Sequence, residues 1–143
     1  MLQEDYIMRI IQQSMRLTAK LTGFQDPEEP FYILELIDQA CTTALNIDPK
    51  LLDDWTEQAL RSWMHDSSLH PAQIRLLVEI LDKKAEMAAR AEEAFQEQAF
   101  LQKTIITLEY LNDVEQTFSL ERQARIHRLK ERLNNDLPNH KED

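Results

Sequence analysis

Three pairs of carboxylates stand three residues apart in the chain: Glu35 with Asp38, Asp54 with Glu57, and Glu79 with Asp82. On a helix this spacing brings both acids of a pair to one face. Pairs that converge from successive helices could hold a divalent cation against a pyrophosphate, and the spacing, though nothing more, resembles that of all-α nucleotide pyrophosphohydrolases. The same spacing also arises by chance in a chain with 26 acidic residues out of 143. A metal-dependent hydrolase is therefore the alternative expectation, and its requirement is geometric: four of the six acids must meet in one cleft.

Other chemistry has fewer materials. Nucleophilic catalysis needs a nucleophile with a base in reach and donors for an oxyanion. Cys41 lies in an apolar helical stripe with no histidine nearby in sequence, and reads as a small core residue. His65, His70, His127 and His140 lack a Glu or His partner at the Glu-x-x-His spacing of helical metal sites, and His65 and His70 suit loop and capping roles. Trp55 and Trp63, eight residues apart, share one side of a helix, where core packing is commoner than stacking on a base or sugar. A small molecule bound around them would need a cavity. Met8, Met15, Met64 and Met87 either fill core gaps or form an adaptable binding surface. No catalytic residue and no cofactor is expected on the main reading.

The elements that position these residues are helices. Apolar residues recur at spacings of three and four nearly throughout, with breaks at proline and cap residues. Six helices in antiparallel hairpins are expected, an all-α fold in one domain: an N-terminal arm over residues 1–22, a linker over 23–30, a helical body over 31–136 and a frayed tail over 137–143. The first helix carries Ile7, Ile10, Ile11, Leu17 and Leu21 on one broad face, with Tyr6, Met8 and Met15 on its shoulders. Gly23 is expected to end it as a left-handed cap. Asp26-Pro27 and Asp48-Pro49 have the form of helix starts, a carboxylate cap before a proline. They open a second helix burying Leu34, Ile37, Cys41, Ala44 and Leu45 up to about Asn46, and a third carrying Leu52, Trp55, Ala59, Leu60 and Trp63 up to a loop at 65–68. His70-Pro71 opens a fourth, with Ile74, Leu77, Val78, Leu81, Ala85 and Ala88 inward. No proline or glycine separates it from the fifth, but a single rod from 71 to 115 would be about 65 Å long, so a break is expected near Arg90. The fifth carries Ala94, Phe95, Leu101, Ile105, Leu108 and Leu111. After a loop at 114–118, Ser119 caps the sixth, whose stripe is Ile126, Leu129 and Leu133.

Composition restricts partners. The net charge is -10, which argues against nucleic acid and anionic membranes, since both are bound largely through Lys and Arg. A lone cysteine permits no internal disulfide, and neither a leader pattern nor an apolar run of membrane-spanning length is present, so a soluble cytoplasmic protein is expected. One glycine, against an average usage of about 7%, leaves little from which to build hairpin turns or phosphate-cradling loops. Charge is uneven: residues 24–57 hold nine acids and one base, Lys50, whereas 119–132 hold five bases and two acids. Two solvated faces of opposite sign, or complementary surfaces within or between subunits, would each produce that pattern.

The run Gln3-Glu4-Asp5-Tyr6-Ile7-Met8-Arg9-Ile10-Ile11-Gln12-Gln13 resembles the opening of a bacterial family of short helical proteins known as a domain of unknown function. Leu108-Glu109-Tyr110-Leu111-Asn112, followed by Thr117-Phe118-Ser119-Leu120-Glu121-Arg122, is similar to that family's C-terminal half. The resemblance implies a cytosolic helical protein with a tetratricopeptide-like second half and supplies no functional residues. Ala91, Phe95 and Ala99 look similar to the second helix of a tetratricopeptide repeat, but the glycine of its first helix is absent, and no second copy at the 34-residue period is visible. The expected function is a non-catalytic module that binds a protein partner. Tyr6, Met8, Ile11 and Met15 are the candidate surface, and the breadth of the first helix's apolar face suggests a homodimer through it.

Overall fold

The computed structural model describes the backbone of residues 2–23 and 30–136; the linker expected at 23–30 and the tail at 137–143 lie, apart from Gly23 and Pro30, outside the described residues. The fold is all-α. Among the described residues there are seven α-helices and no strand: α1 (Leu2–Gly23), α2 (Pro30–Gln39), α3 (Lys50–Asp54), α4 (Glu57–Ser67), α5 (Pro71–Arg90), α6 (Ala94–Glu115) and α7 (Leu120–Asp136). A π-helical segment, Ala40–Leu45, continues α2 directly. The chain divides into two compact units, Met1–Ile80 and Leu81–Asp143. No helix among the described residues is long and apolar enough to cross a membrane.

The seventh helix comes from the expected third, which is two. Trp55 is extended, with ψ 134°, and Thr56 then starts α4 by accepting a hydrogen bond at its Oγ1 from the Ala59 amide at 3.1 Å. Two carboxylates at 53 and 54 oppose the negative end of the α3 dipole, and a threonine three residues before an alanine amide offers a better-capped start. The other boundaries follow local chemistry. Asp48 accepts from the Lys50 amide ahead of α3, Ser119 accepts from the Arg122 amide ahead of α7, and the break near Arg90 is present as a three-residue turn before α6.

In the first unit α1 packs on α2 and the π-helical segment, burying Leu17 and Leu21. Of the expected second-helix stripe, Ile37, Cys41, Ala44 and Leu45 are buried, whereas Leu34 is 40% exposed and Ile33, Leu36 and Ala40 complete the buried side. Gly23 is the last helical residue of α1 and does not have positive φ, so it is not the expected left-handed cap. Left-handed backbone falls instead on Asn46, Ser68, Glu92 and Gln116, three of them where helices end.

In the second unit α6 is buried on nearly every side through its middle, from Phe100 and Leu101 to Leu108 and Leu111. Its buried hydroxyls need no outside partner: Thr104 and Thr107 donate to the carbonyls of Phe100 and Lys103, each at 2.7 Å. Phe95, expected in this stripe, is 83% exposed, and Ala91 lies in the turn before α6, so neither makes the inter-helix packing that the tetratricopeptide comparison asks of it. Among the described side chains of α7, Ile126, Leu129 and Leu133 are the buried ones. Charge completes its docking. Arg122 donates to Glu115 at 2.6 Å and to Asn112 at 2.8 Å, Arg132 to Glu97 at 2.8 Å, Lys130 to Glu109 at 3.4 Å, and Arg125 to Asp82 of α5 at 3.0 Å. Partners on α6 recede as α7 advances, so the two helices are antiparallel. The basic C-terminal segment thus meets acids of its own unit.

Two outcomes are expected. Gly23→Ala should raise stability by about 0.5–1 kcal/mol, since an added Cβ meets nothing within 4 Å and alanine lowers the entropy of the unfolded chain; urea unfolding would show it, and a left-handed cap would give a loss instead. Arg122→Ala should lower stability by about 2 kcal/mol because its carboxylate partner is mostly buried, while Lys130→Ala, in an exposed pair, should cost under about 1 kcal/mol by the same measurement.

Candidate functional site

The π-helical segment is the element around which a groove is built. A π turn leaves backbone groups out of α register, and here two threonines bond back to them: Thr42 Oγ1 donates to the Asp38 carbonyl at 2.9 Å and Thr43 Oγ1 to that of Gln39 at 2.6 Å. Asn46, in the left-handed region at φ 57°, closes the segment with its amide on the Cys41 carbonyl. Asparagine is among the few side chains that take this conformation readily. Gln13 of α1 donates to Thr43 Oγ1 at 2.8 Å, and Gln73 of α5 donates to the Ala44 carbonyl at 2.8 Å. The segment is therefore fixed from both sides.

The start of α5 forms the next wall. His70 Nδ1 accepts from the Ala72 amide at 3.0 Å while the Gln73 side chain accepts from the His70 amide at 2.9 Å, a reciprocal cap with histidine in the place usually held by serine or threonine. His70 is thus a capping residue, the role its position before Pro71 suggests. Tyr6, Ile7, Ile10 and Ile11 of α1 face Trp63 and Ser67 of α4, the turn through Ser68 and Leu69, and the end of the π segment. Together they enclose an open groove of about 620 Å³ within the first unit. Its lining is mixed, with isoleucines and Trp63 beside Thr43, Asn46, Ser67, Ser68 and Gln73.

From the rim of this groove an apolar stripe continues along α1. Ile7, Ile11 and Met15 follow one another at four-residue intervals, with Met8 beside them. Met8 is 52% exposed, Met15 61% and Tyr6 60%. Of the candidate surface residues, Tyr6 and Ile11 line the groove and Met8 and Met15 lie outside it. The methionines divide by role: Met64 is fully buried as a core filler, whereas Met8 and Met15 face solvent. Trp55 and Trp63 pack on each other, with ring centroids 5.0 Å apart and planes at 34°, both half-buried. Only Trp63 of the two lines the groove.

The carboxylate pairs do not converge. Glu35 and Asp38 are exposed on α2; Asp54 ends α3 and Glu57 begins α4, so the extended Trp55 between them removes the shared helical face that their spacing implied. Asp82 is paired with Arg125, which reaches it from 43 residues away. Among the described residues no three His, Cys, Asp or Glu side chains are placed to hold a metal ion. Cys41 is fully buried. His127 meets Glu131 one turn further along α7 at 3.0 Å, an exposed surface pair.

No family model, curated protein or solved structure matches this chain.

The groove geometry makes one residue testable. His70→Ala should remove about 1 kcal/mol of stability through the lost cap, and His70→Asn should retain most of it. Chemical unfolding of the two variants beside the native chain checks both.

Proposed function

We propose that this chain is a non-catalytic protein-binding module whose contact surface is the solvent face of α1 together with the groove beside it. The observation that carries the reading is the exposure of Ile7, Met8 and Met15, with Tyr6 beyond them, on α1. Contiguous exposed apolar side chains rimmed by polar ones mark interaction surfaces, because water around them is released when a partner covers them. Methionine suits the role, since its flexible thioether adapts to an opposing surface. The groove adds a recess for a partner side chain between the isoleucines of α1 and Trp63.

The excess of acids directs the module toward proteins and away from phosphate backbones, and a single buried thiol suits a reducing cytoplasm. A resemblance to the short helical bacterial family, and a tetratricopeptide-like architecture for α5, α6 and α7, belong to the same proposal.

A photo-crosslinking residue placed at position 8 or 15 of the full chain, expressed in its native cells, should trap a polypeptide on irradiation. The same residue at Gln58, exposed on α4, should trap far less. If positions 8 and 15 capture no more than position 58, α1 is not a binding surface.

A further inference from the structure

We propose that the groove between α1, the end of α4 and the start of α5 is a binding site for a neutral saccharide. This goes beyond the protein contact assigned to α1 and does not depend on it. The recess takes a ligand of its own, and Met8 and Met15, which lie outside it, are left to the protein partner.

Charge is the first argument. No Lys, Arg, Asp or Glu lines the groove, in a chain of which 29% is charged. A phosphate, carboxylate or ammonium group entering it would leave water without meeting an opposite charge, and that loss is large. Nucleotides and free amino acids are therefore selected against.

The polar groups left over supply the second argument. Thr43 is committed to Gln39 and Gln13, and Gln73 to Ala44 and His70. By contrast, the side chains of Asn46, Ser67 and Ser68 and the indole N–H of Trp63 have no hydrogen-bond partner among the described residues. His70 accepts the Ala72 amide at Nδ1, which leaves Nε2 as the ring's donor. The open set thus both donates and accepts. Sugar hydroxyls match it, because each of them also does both. The C–H faces of a sugar ring meet the isoleucines of α1 and Trp63. A volume of about 620 Å³ suits such a ligand, since small-molecule sites span roughly 300–1,000 Å³. Two of the open groups stand on fixed backbone: Asn46 closes the π-helical segment at φ 57° and Ser68 closes α4 at φ 50°, both left-handed.

The test uses the full chain. Indole emission should change saturably on titration with N-acetylglucosamine, its disaccharide chitobiose or glucose, with a Kd of about 1 mM or weaker for so open a recess. The change should persist in Trp55→Phe, where Trp63 is the remaining indole. Asn46→Gly and Ser68→Gly remove the polar group and keep the left-handed backbone, and each should weaken binding about three- to tenfold, the loss of one uncharged hydrogen bond. Met8→Ala should leave the affinity unchanged, and so should added salt, because no ion pair forms. Circular dichroism of each variant establishes that the helices are intact. The proposal is overturned by a signal that none of the three sugars saturates, by binding that both glycine variants leave untouched, or by binding that salt abolishes. A photo-crosslinking residue at Ser67 that traps a polypeptide, with no sugar bound, would give the groove to a protein side chain instead. Sugar binding without crosslinks at positions 8 and 15 keeps the saccharide site and removes the protein-binding reading; crosslinks there without sugar binding do the reverse.

Discussion

α6 has almost no solvent face over the stretch from Phe100 to Leu108, and the second unit depends on this fact. A helix buried all round cannot be placed by amphipathicity, because no polar side fixes its rotation. Its position is fixed instead by what surrounds the few polar groups it carries. Thr104 and Thr107 satisfy themselves on the preceding turn, while the ammonium of Lys103 lies 5.3 Å from the Phe100 ring centre, as does that of Lys84. Both lysine stems then cover apolar surface with their charges held over an aromatic face. With α6 buried in this way, α7 is left a narrow apolar seam, and its arginines complete the attachment through carboxylates of α5 and α6.

Helix identity was legible in the sequence wherever a stripe faced a single core. Ile74, Leu77, Val78, Leu81, Ala85 and Ala88 of α5, and Ile126, Leu129 and Leu133 of α7, are all buried as their spacing requires. The errors have particular causes. Leu34 has the stripe's spacing but stands at the edge of the buried face, whose middle runs through Ile33, Leu36, Ile37 and Ala40. Trp55 was read through because the helix break there depends on a threonine cap, a weaker mark than proline. Phe95 was placed in the core because it continues a stripe beyond the point where the chain has left the turn at 91–93. A left-handed cap at Gly23 is suggested by its residue type alone, whereas the chain takes left-handed backbone at Asn46, Ser68, Glu92 and Gln116.

The site was legible in part. Tyr6, Met8 and Met15 stood out because the apolar face of α1 is broader than one neighbour can cover, and all three are exposed. The groove beside them was not legible, since it joins residues 6–11, 43–46 and 63–73 through hydrogen bonds made by Gln13 and Gln73, residues that carry no motif. The carboxylate pairs show the opposite failure. Spacing of three was visible, but a pair such as Asp54 and Glu57 has a common face only on an unbroken helix, and the fate of Asp82 was decided by an arginine far along the chain.

The packed pair of Trp55 and Trp63 has an optical consequence. These are the only two tryptophans in the chain, and both lie in the unit Met1–Ile80. Indole emission therefore reports on that unit alone, while the far-ultraviolet signal sums helices from both. Any separation between the two unfolding curves would measure how far the halves of the chain melt as independent cooperative units, without a label or an added chromophore.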